Sequence, residues 1–570
     1  MTAPRSGYFL PFYGLYKQIL ACICVALLWN SCTPTSKTGA NTRPVNNLNE
    51  IVIVPEYYKT YQAAETRKLD LLHTKLKVRF DWENAYLFGK ATLTLRPYFY
   101  ETNRVELDAK GFDFHRVALA TDSGKVNLNY TYENDKITIK LDRTYNKSET
   151  FQVFMDYTAK PNELEVEGGE AITDNKGLYF INNKNEDPDK PQQIWTQGET
   201  EANSCWFPTI DKPNERMTQE IYITIEEKFL TLSNGLLMYS TDNGDGTRTD
   251  YWKMDKEHAP YLVMMAIGEY AVIRDQWRDI EVNYYVEKEY EPYAKSIFGN
   301  TPEMLQFYSD KLGVDYPWAK YSQVIVRDYV SGAMENTSAV IHGEFLQKDD
   351  RELEDETHED IIAHELFHHW FGDLVTCESW ANLSLNESFA TYGEYIWNEY
   401  KYGQDEADYG LAKDLSSYLW SSDKKQVDIV RFDYKERDDM FDSHSYGKGG
   451  RVLHMLRKYV GDDAFFASLK LYLNRHKHSS VEIHDLRLVF EEITGEDLNW
   501  FFNQWFLSSG HPLLLMSYDY SDSTGELVVS ITQAHNLDKT PLYKLPMEVD
   551  IYAGGEVTRH SIICDSIRQT

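Results

Sequence analysis

Residues 364–395 read HELFHHWFGDLVTCESWANLSLNESFATYGEY, and the first five, His364-Glu365-Leu366-Phe367-His368, govern how the rest is understood. Residues four apart on a helix stand one above the other on the same face. His364 and His368 can therefore offer two imidazoles to one metal ion, with Glu365 beside them as a base on water that the metal activates. This is the HExxH zinc constellation. After eighteen further residues comes Glu387, a candidate third ligand. Three protein ligands leave a fourth position open, which is the catalytic rather than the structural arrangement. Plainer readings exist for each part. The histidines could be ordinary helix-surface residues, and Ser384-Leu385-Asn386-Glu387 also reads as a capping box that opens a helix.

More motifs stand at a distance. Gly332-Ala333-Met334-Glu335-Asn336 ends 28 positions before His364, and Gln197-Gly198-Glu199, Trp206-Phe207-Pro208 and Asp211-Lys212-Pro213 lie further upstream. Downstream are Tyr446-Gly447-Lys448-Gly449, Gln504-Trp505 and Gly510-His511-Pro512. Taken with HExxH, eighteen residues and Glu, these motifs resemble the gluzincin aminopeptidase family, peptidase family M1, typified by the alanyl aminopeptidases. The resemblance runs over about residues 70 to 515. One departure is Ser379-Trp380-Ala381-Asn382, where many members carry a second tryptophan and an acidic residue. Glu199 matches the aminopeptidase pattern and not the glutamine of the epoxide-hydrolysing branch.

The resemblance implies one zinc ion per chain, held by His364, His368 and Glu387. It implies Glu365 as base and Tyr446 as a donor to the developing oxyanion. Glu335 and Glu199 would grip the free amino terminus of a peptide substrate, and Gly332, Ala333, Met334 and Asn336 would complete the substrate-binding segment. Asp373, nearby in sequence, has no role in this scheme. The activity implied is hydrolysis of the first peptide bond. A thermolysin-like endopeptidase keeps a different ligand spacing and lacks the 332–336 motif. A catalytically inactive, membrane-tethered peptide-binding relative is the alternative from another class. Such relatives lose a ligand or the base, whereas all four residues are present here.

Composition bounds the partners. Lys plus Arg is 58 against 90 Asp plus Glu, a net charge of −32. A surface so acidic repels phosphate backbones, so nucleic acid is not expected as a partner. Nothing in the sequence fixes an oligomeric state. Near the start, Arg5 and Lys17 precede an apolar run, Ile19 to Trp29, then Asn30-Ser31-Cys32. Eleven apolar residues suit a signal-peptide core and fall short of the ~20 that span a bilayer. Cys32 after serine resembles a bacterial lipoprotein cleavage site. Residues 1–32 therefore read as a lipoprotein-type signal peptide, giving export to the periplasm or outer membrane with a lipid on Cys32; a plain secretory signal cut nearby and an uncleaved anchor are the alternatives. Residues 33–49 read as a flexible tether. Beyond the leader only Cys205, Cys377 and Cys564 remain, too few and too scattered for a disulfide framework.

At 570 residues the chain predicts several domains, a multidomain α+β protein. Period-two alternation, as in Leu76-Val78, Ala91-Leu93-Leu95, Ile137-Ile139 and Ile221-Ile223, predicts a β-rich, sandwich-like domain at 50–275. From there the pattern turns helical, and the resemblance makes 276–511 a thermolysin-like, mainly helical zinc catalytic domain. Thr357-His358-Glu359-Asp360 predicts a capping box ahead of HExxH, and Gly372 a terminator after it. Leu527-Val529-Ile531 and Met547-Val549-Ile551 predict a short C-terminal β domain at 512–570. Longer members of the family continue into a further helical domain, so 512–570 reads either as a whole small domain or as an incomplete one.

Overall fold

The computed structural model describes residues 61–62 and 64–570. The expected signal peptide, Cys32, the tether and the first residues of the expected β domain lie outside the described residues.

The period-two segments become strands with alternating burial. Met217–Glu226 buries every second side chain. It runs parallel to Leu69–Asp81, which is antiparallel to Tyr86–Pro97, inside an eight-stranded sheet. A three-stranded sheet built on Thr102–Asp108 and Lys136–Tyr145 closes over the same core. Leu76, Leu93, Ile139 and Ile223 meet there. A four-stranded sheet follows, in which Gln193–Thr196 is buried along its whole length. That strand delivers the chain straight to Gln197-Gly198-Glu199.

The helical region carries a five-stranded sheet that the sequence pattern did not disclose, besides the short pair Val375–Cys377 and Ser479–Val481. Five strands run in the order Tyr270–Trp277, Ile280–Glu287, Lys320–Val326, Ala339–Gly343 and Ala333–Met334. All seven residues of Lys320–Val326 are buried. A strand covered on both faces has no alternation to read. The edge strand Ala333–Met334 leads directly to Glu335 and Asn336. The helix Glu359–Phe367 packs against this sheet, Ser384–Lys401 packs on that helix, and Gln404–Ser422 and Gly449–Val460 pack on Ser384–Lys401 in turn. The C-terminal strands Leu514–Ser521 and Glu526–Gln533, with the hairpin Leu545–Ala553 and Glu556–Cys564, join the helical core through Ile531, Leu545 and Cys564.

Three local expectations are corrected. The residue at the start of the HExxH helix is His358, in a left-handed conformation, φ 51°, and its side chain makes no capping bond; Thr357 Oγ1 accepts only a long bond, 3.4 Å, from the Glu359 N–H. That helix ends at Phe367, five residues short of Gly372. The second helix begins at Ser384 without a side-chain cap, so Glu387 falls inside its first turn. The capping-box reading of Ser384–Glu387 therefore fails, and the Glu387 carboxylate is turned elsewhere.

Candidate active site

Glu387 faces the two histidines. Its Oε2 lies 3.3 Å from His364 Nε2 and 3.3 Å from His368 Nε2. One donor atom from each of the three residues falls within 4.8 Å of the others. The opposite ring nitrogens are occupied. His364 Nδ1 lies 2.7 Å from Glu394 Oε1, and His368 Nδ1 lies 3.0 Å from the Phe371 carbonyl. Donating Nδ1–H to these acceptors leaves each Nε2 lone pair free for a metal. Glu394 was not singled out from the sequence. It is seven residues beyond Glu387 on one helix, two turns along the same face.

The electrostatics fit a cation. Burial works against charge on Glu387, but His368 and His364 outweigh it and hold the carboxyl down to about 2. Burial also disfavours a charged His368, yet Glu335 and Glu387 raise it to about 9. A divalent ion displaces such protons on binding. Two imidazoles, one carboxylate and an oriented outer layer fit one zinc ion.

Glu365 is buried on the same helix, and its Oε2 has no hydrogen-bond partner. Burial pushes its carboxyl up to about 8, with His364 and His368 pulling the other way. Tyr446 rides on a π-helical turn, His444–Lys448, with its ring parallel to that of His364 at 6.0 Å. Burial, then the Glu387 charge, lifts its phenol well above the ordinary range. This turn lies close against the Glu387 helix. Ser388 Oγ bonds to the Ser445 carbonyl at 2.6 Å, and a Cβ on Gly449 would fall 1.8 Å from that hydroxyl. Only glycine permits the approach.

Glu335 and Glu199 are 2% and 4% exposed, and each keeps one carboxylate oxygen without a partner. Glu335 Oε1 lies 4.0 Å from His368 Nδ1. Burial, then the neighbouring Glu335 charge, drives Glu199 well above the usual carboxylate range. Gln197 bridges the two segments, donating to Met334 Sδ at 3.3 Å and bonding to Tyr329. Met334 and Asn336 are buried, and neither side-chain polar atom of Asn336 has a partner. Ala333 is half-buried and Gly332 is exposed. No protein atom would meet a Cβ on Gly332 within 4 Å, so nothing in the protein itself demands glycine there. Asp373, left without a role above, is fully buried with neither oxygen hydrogen-bonded, His369 Nε2 standing 3.7 Å from Oδ2, and burial raises it well above the usual range. Arg216 reaches from the N-terminal sheet to its carbonyl at 2.6 Å and to Thr376 Oγ1 at 2.6 Å.

Comparison with known proteins follows this geometry. Residues 297–505 match the peptidase family M1 domain, and residues 54–262 match the peptidase M1 N-terminal domain. Aminopeptidase M1 of Arabidopsis thaliana is 29% identical over 357 residues, covering 60% of this chain and 39% of that protein. Aminopeptidase N of Lactococcus lactis subsp. cremoris is 28% identical over 468 residues, 78% of this chain and 52% of that protein. The chain thus spans well under two thirds of the length of these relatives. Among solved structures, Legionella pneumophila aminopeptidase A in complex with aspartic acid superposes with a TM-score of 0.74 at 19% identity. It covers 90% of this chain and 57% of that one. An M1 zinc metallopeptidase from Deinococcus radiodurans bound to a Tyr-Ser-Ala substrate gives a TM-score of 0.64 at 21% identity, with 78% and 95% covered. These structural likenesses establish the fold.

Proposed function

The chain belongs to peptidase family M1, and on that premise we propose that it is a zinc metallo-aminopeptidase that removes single residues from the free amino terminus of peptides. One observation carries the reading: two buried carboxyl groups, Glu199 and Glu335, each with an oxygen that lacks a hydrogen-bond partner, stand beside a three-donor metal site. Among the described residues neither is paired with lysine or arginine. Burying a carboxylate without a cation is costly, and a substrate ammonium supplies the cation.

His364, His368 and Glu387 would hold the zinc. When bound, the ion polarises the scissile carbonyl and makes water a stronger acid. Glu365 takes the proton of the attacking water and returns it to the leaving nitrogen. Tyr446, kept protonated by its surroundings, donates a hydrogen bond to the developing oxyanion. Ala333–Met334 is an edge strand, so its outer side is open to pair with an extended peptide backbone. With the ammonium held by Glu335 and Glu199, only the first peptide bond reaches Glu365.

The test pairs zinc content of the purified protein with hydrolysis of alanyl or leucyl anilide. Equal cleavage of N-acetylated peptides at internal bonds would overturn the aminopeptidase assignment even with zinc bound.

We also propose export and lipid anchoring through Cys32, on the strength of the apolar run and the Ser31-Cys32 junction. Cys32→Ser should move the protein from the membrane fraction to the soluble exported fraction. A wild-type mature terminus elsewhere than Cys32 removes this claim and leaves the peptidase claim intact.

A further inference from the structure

The turn behind Glu335 is held at one residue from several sides. Ser338, three positions beyond Glu335, sits in a left-handed conformation, φ 66°. Its hydroxyl accepts from the Gly235 N–H at 2.9 Å, a tie to the N-terminal region. Its carbonyl accepts from Lys320 Nζ at 2.9 Å and from the Ser322 N–H at 3.0 Å. Its own N–H donates to His369 Nε2 at 3.0 Å. Only this last bond comes from the stretch of chain that carries the metal donors.

His369 directly follows HExxH, and the directions of its two bonds fix its state. A backbone N–H can only donate, so Nε2 accepts and carries no proton. Nδ1 faces the Glu365 carbonyl at 3.1 Å and must donate its hydrogen there. Asp373 Oδ2, at 3.7 Å from Nε2, is beyond hydrogen-bond distance. One neutral imidazole thus joins the residue assigned as base to the turn behind the proposed amine anchor. The ring is fully buried beside two tyrosines, Tyr316 with centroids 5.5 Å apart and Tyr321 at 5.0 Å. Trp318 Nε1 also donates to the His369 carbonyl at 3.1 Å. A ring so enclosed cannot swing, and the separation it sets between the two backbones is fixed.

An ordinary core histidine would also be buried and bonded. This one differs in what its two ends hold. Glu335 and Glu365 act on neighbouring atoms of one substrate, so an error in their separation displaces the scissile bond. A misplacement of about 1 Å can cost roughly 100-fold in rate. The side chains do not set that spacing themselves: Glu335 Oε1 has no hydrogen-bond partner and comes only to 4.0 Å from His368 Nδ1. We propose that His369 is a positioning residue, whose imidazole sets the distance between the amine grip at Glu335 and the metal site beside Glu365. The proposal rests on the aminopeptidase reading above.

The test uses the zinc-loaded full-length protein and calorimetry with two ligands, leucine hydroxamate and the same molecule without its amino group. Both bind zinc through the hydroxamate, and only the first also reaches Glu335. In the wild type their affinities should differ by about 10–150-fold, the worth of a charged hydrogen bond. The asparagine amide in His369→Asn overlays Nδ1 and falls short of Ser338. It should shrink that ratio about tenfold while leaving the amine-free ligand unchanged. In His369→Gln the amide oxygen reaches Ser338, and the ratio should return. His369→Met, which fills the ring's volume and bonds to neither group, is read like asparagine if that protein does not fold. A loss shared equally by both ligands marks an ordinary core residue and overturns the proposal. So does an unchanged ratio in a folded asparagine or methionine variant, or a glutamine variant no better than asparagine. If the two ligands bind alike in the wild type, the amine anchor is absent and the aminopeptidase reading falls together with this one. If the wild-type ratio is large and the variants leave it alone, only the role of His369 fails.

Discussion

Glu394 offers the sharpest test of how the metal site is held. Its Oε1 lies 2.7 Å from His364 Nδ1, and it stands two turns beyond Glu387 on one helix. A single rigid element thus supplies both the third ligand and the carboxylate that fixes the first ligand's tautomer. Removing such an outer partner typically weakens metal affinity by about 10–100-fold. Glu394→Gln keeps the shape and an acceptor oxygen but loses the charge, so a loss of about tenfold, or ~1.4 kcal/mol, is expected. Glu394→Ala leaves Nδ1–H without its acceptor and should reach ~100-fold, or ~2.7 kcal/mol. Competition against a fluorescent chelator gives the zinc Kd, and circular dichroism checks that the helix survives. Activity of the glutamine variant should return at saturating zinc. Unchanged zinc affinity in a folded Glu394→Ala protein would refute the reasoning, because His364 would then need no orienting partner.

Glu365→Gln should keep zinc content and lose activity by several orders of magnitude, since base and ligand are different residues; an active variant sinks the mechanism. Glu335→Gln should lower kcat/KM on free-amine peptides by about 10–150-fold, the worth of a charged hydrogen bond, and narrow the preference over N-acetylated peptides. Glu526→Gln, exposed on the C-terminal strands, is the control and should leave both unchanged. His342 tests stability against pH. It is fully buried, bonded through Nε2 to Gln323, and burial pushes its imidazole down to about 3. The unfolded chain takes up its proton near the ordinary ~6.5, so stability from neutral His342 is complete above that pH and is lost as pH falls towards 3. At pH 5.5 the loss is ~1.4 kcal/mol, and His342→Gln should escape it. Urea midpoints of both proteins at pH 7.5 and 5.5 check this; a gap between them that stays constant counts against it.

What could be read in advance follows from which signals are local. The HExxH helix was legible because its information lies within one turn, and the N-terminal strands because alternation survives where one face is covered. Glu387 was ambiguous for a physical reason: Ser384-Leu385-Asn386-Glu387 satisfies a capping pattern as well as a ligand spacing. The helix start at Ser384 removes the cap, and the approach of the Glu387 carboxylate to both histidines at 3.3 Å fits the ligand spacing. Lys320–Val326 was hidden because burial on both faces erases periodicity. Glu394 looked like any polar residue on a helix, and its meaning arises from a histidine thirty residues earlier.

The acidity shows the same limit at larger scale. In the sequence, −32 is a property of the whole chain: it argues for solubility and against nucleic acid, and favours cationic peptides only mildly. Folding brings 353–360, Glu394 and 405–414 around one cleft. A property of the whole chain thereby becomes a local concentration of carboxyl groups. No window of sequence contains that information, because three separated segments carry it and only the packing of two helices against the loop ahead of HExxH joins them.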